Sequence, residues 1–339
     1  MSLPKVDVII LSWNRVEDTL AAIASAAAQR DVELKILVVD QGSEPQNLAR
    51  VEAAVAELPC ARLLRLMRNV GVPAGRNLAA AVGTAPTIVA PDSAAEFADP
   101  RVLARAAELL ETRPELCAVG FAILNYFTGE TDWSSWDYPN HCSPDREFMA
   151  TRFVGAGHAI RRRSFEAVGA YDERLMFCGE ELDVCYRMLN LGQRISYVPS
   201  LAVLHKVTLE QRVFWEGGRY FQTVRNALYT LYKYQTGWLR LSVAAVAFVL
   251  RGLRNGIGRQ AARGVLASIP LCVSFARDPQ RKAMYQLSPE TWGYIRECEP
   301  SRRDPWSSKL RRQLTPLPRQ SSADARAASS TSTHEVGVG

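Results

Sequence analysis

The sequence predicts an α/β protein with a mostly parallel central sheet, helices on both faces and a C-terminal helical extension. Three observations predict it. Short runs of Val, Ile and Leu alternate with Ala-rich stretches from the start, the order of a sheet assembled by crossover helices. A polar cluster follows each of the first four runs. Beyond about residue 205 strand signals fade, and Arg, Tyr, Trp and Leu recur at helical spacing.

Val6-Asp7-Val8-Ile9-Ile10-Leu11 reads as a buried strand, and Val16 to Ala28 as a helix. Leu34 to Val39 is a second strand, followed by a helix from Glu44 to Ala56. Ala61 to Leu66 is a third strand, with a helix from Gly75 to Val82. Thr87 to Ala90 is a fourth, ending at Pro91-Asp92 before a helix from Pro100 to Thr112. Sheets of this kind bind ligands at the carboxyl ends of their strands. Those ends carry Ser12-Trp13-Asn14-Arg15, Asp40-Gln41-Gly42-Ser43, Asn69-Val70-Gly71 and Pro91-Asp92-Ser93. Four polar strand ends converge on one crevice. No G-x-G-x-x-G follows the first strand and no G-x-x-x-x-G-K-[ST] is present, which disfavours a dinucleotide fold and excludes a P-loop.

Composition bounds the function further. The 339 residues suit one large or two modest domains, and 47% hydrophobic with 22% charged residues is ordinary for a globular protein. A net charge of +6 is too mild to argue for nucleic acid, but the excess lies in the Arg-rich last third, which points to an anionic surface. Seven cysteines with no C-x-x-C pair indicate free thiols in a reducing cytoplasm. The N-terminus has no signal-peptide pattern. The longest apolar run, Leu241 to Leu250, is half a membrane span.

The densest chemistry lies at residues 179–187, Gly-Glu-Glu-Leu-Asp-Val-Cys-Tyr-Arg. Acidic side chains suit a helix N-terminus, but Glu180, Glu181 and Asp183 are more than a cap needs. Neighbouring carboxylates raise one another's pKa, as a general base requires.

Read in order, Ser12–Arg15, Val39–Ser43, Asn69–Asn77, Ala90–Ser93, Gly155–Arg162, Gly169–Arg174 and Glu180–Arg187 resemble the inverting, family-2-type glycosyltransferases over about residues 5 to 206. The resemblance implies the GT-A type nucleotide-diphospho-sugar transferase fold. It places Ser12, Asn14, Arg15, Asp40, Gly42, Ser43, Asn69, Gly71, Arg76, Asn77, Pro91 and Asp92 around the sugar nucleotide, with Asp40 on the base. Glu181 falls in the catalytic-base slot beside Glu180. Asp183 is either a further catalytic acid or a partner for Arg187. Gly157 is assigned to the acceptor side with Trp133 and Trp136, whose aromatic-rich segment, Asn125 to His141, suits stacking on sugar faces; a packed loop of core aromatics accounts for that segment equally.

The family's Asp-x-Asp metal motif is incomplete here, since only Asp92 is acidic. Placing Asp92 first puts Ala94 in the second acidic position. Placing it second gives Ala90-Pro91-Asp92-Ser93, similar to the Asn-Pro-Asp-Thr variant of rhamnosyltransferase-like members. The second register is preferred, because residues 108–120 also resemble that subgroup. Asp92 with His205 is then expected to hold Mg²⁺ or Mn²⁺.

The expected activity is transfer of a sugar, with inversion, from a nucleotide-diphosphate donor to a saccharide or lipid-linked saccharide acceptor in cell-surface polysaccharide synthesis. Alternatives are a catalytically degenerate sugar-nucleotide-binding protein and a nucleotidyltransferase. Residues 1–206 form the expected transferase domain, 207–300 the helical extension and 301–339 a disordered tail. The extension mixes Arg with Trp and Tyr, as a peripheral contact with anionic lipid on the inner face of the cytoplasmic membrane does; a packed helical subdomain with a basic face accounts for it equally.

Overall fold

The computed structural model describes residues 2–206, 218–234 and 237–300. The expected tail at 301–339 and the start of the extension at 207–217 lie outside the described residues. The first half alternates as the sequence predicts: β1 (Lys5–Ser12), α1 (Val16–Ala27), β2 (Glu33–Gln41), α2 (Pro45–Ala56), β3 (Ala61–Leu66), α3 (Val72–Val82) and β4 (Thr87–Val89). Then come β5 (Ala95–Phe97), α4 (Val102–Thr112), β6 (Leu116–Asn125), β7 (Phe148–Ala150), β8 (His158–Arg161), α5 (Arg162–Ala167), α6 (Glu180–Leu189) and β9 (Arg194–His205).

These strands form one sheet in the order β3-β2-β1-β4-β8-β6-β9-β5, with β7 on β9. The four strands β1 to β4 are parallel to one another, as expected. Beyond them the sheet is mixed: β8 runs antiparallel between β4 and β6, and β5 and β7 run antiparallel to β9. This corrects the mostly parallel expectation. A parallel neighbour needs a long crossover, usually helical, and no helix separates β6, β7 and β8.

The core follows from period-two burial. Val6, Val8 and Ile10 share one face of β1 with Ile36 and Val38 of β2, under Ala22, Ile23 and Ala26 of α1. Full burial of each Val or Ile is worth about 1.5–3 kcal/mol. On the other face of β1, Asp7 is buried but satisfied. Its Oδ2 accepts from Ala85 N at 2.8 Å and from the Arg162 guanidinium at 2.6 Å. Removing either charge would strand the other, at a cost of about 3–5 kcal/mol.

The chain divides into two compact units, one of residues 1–205 and 273–303 and the other containing residues 206–272. Residues 273–300 therefore belong with the sheet, although the sequence groups them with the extension. In that segment α10 (Pro279–Met284) and α11 (Pro289–Cys298) start at prolines, after Asp278 and Ser288 side-chain caps. Asn190 accepts from Ser288 N at 2.8 Å, and Tyr294 donates to Ala150 O at 3.2 Å. The second unit holds α7 (Tyr220–Tyr234), α8 (Trp238–Arg254) and most of α9 (Gly258–Ala276), around Tyr220, Val224, Leu228, Phe248, Ile257 and Ala261. Among the described residues, no helix is long and apolar enough to cross a membrane.

Candidate active site

Parallel register sets Ser12 beside Asp40 at the ends of β1 and β2. Asp40 is fully buried, and its carboxylate is engaged by its own turn. Oδ1 accepts from Gly42 N at 3.1 Å and Ser43 N at 2.9 Å, and Oδ2 accepts from Ser43 Oγ. Asn14 locks the neighbouring loop to this turn: its N–H donates to Ser43 Oγ at 2.9 Å, and its Oδ1 accepts from Glu44 N at 2.7 Å. Ser12 is buried and accepts from Thr19 Oγ1 at 3.4 Å. Asn69 accepts from Gly71 N at 2.8 Å. Gly71 has φ of 90°, and a Cβ there would strike the Met176 carbonyl, which accepts from Val72 N at 2.8 Å. Only glycine lets α3 start against that loop.

Asp92 lies just past β4, beside the buried Pro91, where its N–H donates to Ala156 O at 3.0 Å. Its Oδ1 accepts from Ala94 N at 2.9 Å, and Oδ2 has no hydrogen bond among the described residues. Three residues on, Ala95 of β5 pairs with His205 at the end of β9, which brings the imidazole to the carboxylate. Burial would raise the Asp92 pKa, but His205, the Ala94 N–H, Arg15 and Arg76 together hold it below the usual value. Asp92, His205, Arg15 and Arg76 thus share one electrostatic neighbourhood.

The acidic run opens α6 after Gly179. Glu180 is 2% exposed, and its Oε2 has no hydrogen-bond partner among the described residues. Burial and the charge of Glu181 push it up to about 8, against the pull of Arg76. Glu181 is more open, with 20% of its side chain exposed. Burial raises its pKa as well, while Arg76 opposes the rise. Of the two, Glu181 is the carboxylate that a substrate can reach. Gly155 makes room for it: a Cβ at that position would collide with Glu181 Oε1.

Arg76 joins the two halves. It is buried, donates to Gly155 O at 2.8 Å and lies 3.6 Å from Glu181 Oε1. Its Nε and other terminal nitrogen make no hydrogen bond among the described residues. The Tyr171 ring lies below it at 5.9 Å. The Tyr171 hydroxyl is 3.1 Å from Nε2 of His158, which stacks on Phe153. Burial and then Arg76 hold His158 well below its ordinary pKa. Arg76, in α3, therefore has the acidic pair and Asp92 as electrostatic neighbours.

Other expected residues are occupied elsewhere. Asp183 is fully buried and its Oδ2 takes the Arg187 guanidinium at 2.8 Å, which anchors α6. Asn77 donates to Tyr171 O and Glu173 Oε1 and accepts from Tyr171 N, which uses its whole amide in stapling α3 to that segment. Gly157 packs in the core, where a Cβ would lie 2.9 Å from Val203. Trp136 is held among Tyr138, Phe148 and Tyr197, while its neighbour Trp133 is 66% exposed.

The sequence reading missed Asp132. A tight turn at Asn125–Gly129 brings the chain back along β6, so that Asp132 N donates to Ile123 O at 2.9 Å. Its Oδ2 accepts from His205 Nδ1 at 3.3 Å. Only the serines at 134 and 135 hinted that Asp132 organises a turn.

The fold is GT-A-like, with a polar crevice holding acidic, basic and imidazole side chains. Residues 7–169 match the model of Glycosyl transferase family 2. It is 25% identical over 233 residues to polypeptide N-acetylgalactosaminyltransferase 3 of Mus musculus, a stretch covering 60% of this chain and 37% of that protein. The chain thus matches little over a third of that relative's length. Among solved structures, it is similar to GalNAc-T7 with UDP, GalNAc and Mn²⁺, at a TM-score of 0.60 and 16% identity, covering 88% of this chain and 58% of that one. The mannosyltransferase PcManGT from Pyrobaculum calidifontis, in complex with GDP-Man and Mn²⁺, gives a TM-score of 0.53 at 14% identity, covering 98% and 88%.

Proposed function

We propose that the protein is an inverting glycosyltransferase, of the rhamnosyltransferase-like subgroup, acting in cell-surface polysaccharide assembly. It moves a sugar from a nucleotide-diphosphate donor to a saccharide or lipid-linked saccharide. The observation that carries this reading is the buried guanidinium of Arg76, which lies 3.6 Å from Glu181 and has Asp92 as an electrostatic neighbour. A proton acceptor and an anion-binding site are thereby held one guanidinium apart. Glu181 takes the proton of the acceptor hydroxyl as that oxygen attacks the anomeric carbon. The bond from that carbon to the diphosphate breaks on the opposite face, and Arg15 and Arg76 meet the charge that develops there. A single displacement inverts the anomeric centre.

The donor set fits a divalent cation. Asp92 Oδ2 is unclaimed among the described residues, and His205 keeps Nε2 for a ligand while Nδ1 faces Asp132. Among the described residues, no group of three or more His, Cys, Asp or Glu side chains is gathered at one point. Asp92 and His205 would therefore share the ion with donor phosphates and water, as Mg²⁺ and Mn²⁺ tolerate. When bound, it would neutralise charge on the diphosphate.

Incubation with UDP- and GDP-sugars and Mn²⁺ tests the reading. Slow donor hydrolysis that vanishes in Glu181→Gln and in Asp92→Ala, together with an inverted product anomer by NMR, is the expected outcome. Tight donor binding without turnover would instead support the binding-only alternative, which Ala90 in the metal motif favours.

The second unit supports a peripheral membrane contact on the cytoplasmic side. Between Glu216 and Asp278 the sequence has no acidic residue, and α8 exposes Leu239, Val246, Leu250 and Leu253 beside Arg240 and Arg254. Apolar side chains flanked by cations alone suit an anionic headgroup layer. Co-sedimentation with phosphatidylglycerol vesicles, lost on phosphatidylcholine and in Leu250→Glu, is expected.

A further inference from the structure

We propose that Asp132 is a positioning residue that fixes the ring orientation and tautomer of His205, so that Nε2 is the nitrogen presented beside Asp92. This rests on the reading of His205 as a metal ligand. Three observations support it. The His205 backbone is clamped on both sides: it pairs with Ala95 of β5 and Asn125 of β6, and its carbonyl accepts from Tyr126 N at 3.0 Å. Backbone clamping leaves the ring free to turn, and only a side-chain contact can fix it. Asp132 provides that contact. A carboxylate only accepts, so the 3.3 Å contact requires the proton on Nδ1 and leaves the Nε2 lone pair for an incoming ligand.

Asp132 is itself held in place. It is 6% exposed, Oδ1 accepts from the Ser134 N–H at 3.0 Å and from Ser134 Oγ, and Oδ2 accepts from Ser135 Oγ at 2.6 Å. The turn is anchored in turn by Asn125 Oδ1, which accepts from Phe127 N at 2.9 Å and Thr128 N at 3.2 Å. The carboxylate is thus more restrained than a chance surface contact and uses the same oxygen for a serine and for the imidazole. Outer partners of this kind orient a ligating histidine and are worth about 10–100-fold in metal affinity.

The test measures Mn²⁺ affinity of the full chain by EPR of the free ion, with UDP or GDP present and no sugar donor or acceptor. Asp132→Ala is expected to weaken binding about 10–100-fold. His205→Ala weakens it at least as much, and the double variant no further than His205→Ala alone. In the metal-free protein, ¹⁵N NMR of the histidines should find His205 protonated on Nδ1, and Asp132→Ala should move the proton largely to Nε2. Ser134→Ala/Ser135→Ala, which loosens the turn but keeps the carboxylate, separates a structural role: it should lower the melting temperature and leave the tautomer unchanged. If Asp132→Ala spares both affinity and tautomer while His205→Ala weakens binding, Asp132 has no positioning role. Losses that add in the double variant overturn it equally. If His205→Ala leaves Mn²⁺ affinity intact, His205 is no ligand, and the inference falls with that reading.

Discussion

The two carboxylate-bearing ends of the crevice are built in opposite ways. At the end of β2, Asp40 is fully buried and both its oxygens are taken by its own turn. At the other end, among the described residues, one buried Glu180 oxygen makes no hydrogen bond, Glu181 faces a guanidinium at 3.6 Å, and Asp92 keeps one oxygen unclaimed. Burial without partners costs free energy that a purely structural design would avoid. The saturated acid shapes a loop, and the unsaturated ones mark where protons and ligands move.

Breaking the unsaturated end should have the largest effect. Glu181→Gln is expected to lower kcat by about 10²–10⁴ while the donor dissociation constant, measured by calorimetry, stays within about twofold. A comparable loss of donor affinity would make Glu181 a binding group. Next comes the pH dependence of stability. Glu180 is held protonated up to about 8 in the fold, against an ordinary value of 4.5. The folded chain therefore binds the extra proton between those values, and stability falls as pH rises through that window. Glu180→Gln should stabilise the protein by on the order of a few kcal/mol above pH 8 and by little near pH 4, read from urea melts. An equal shift at both pH values would mean that Glu180 does not titrate there.

The saturated end should respond in stability. Asp40→Ala strips the acceptor from Gly42 N and Ser43 N and is expected to cost about 1–3 kcal/mol, with donor KM changed little. A raised KM at unchanged melting temperature would instead return Asp40 to the base contact that the family resemblance implies. The smallest effect sharpens the comparison. Arg76 lowers the proton affinity of both glutamates. Arg76→Met should therefore move the acidic limb of the kcat profile, where the rate rises as the base loses its proton, about one unit to higher pH. A limb that stays in place would assign it to another group.

Much of this was legible in the sequence. The four-strand parallel start, the polar strand ends and the acidic run at α6 follow from local patterns that need no long-range knowledge. What escaped depends on pairing between distant segments. β8 has four residues, too few for periodicity, so its antiparallel insertion could not be foreseen. Asn77 looked like a ligand contact because its partners on residues 171 and 173 are invisible until the chain folds. At Gly157 the residue type alone could not separate core packing from ligand approach, since both favour glycine. Asp132 gave no signal of its own, because its role rests on a hairpin that returns it to the end of β9.

The central claim is that Glu181 and the Asp92–His205 pair serve one reaction centre around Arg76. The most direct measurement is a crystal structure of the Glu181→Gln protein with its nucleotide-diphosphate sugar and Mn²⁺. The account predicts the ion on Asp92 and His205, and the anomeric carbon turned toward residue 181 with room between them for an acceptor hydroxyl. An ion held by other side chains, or an anomeric carbon facing away from residue 181, would contradict it.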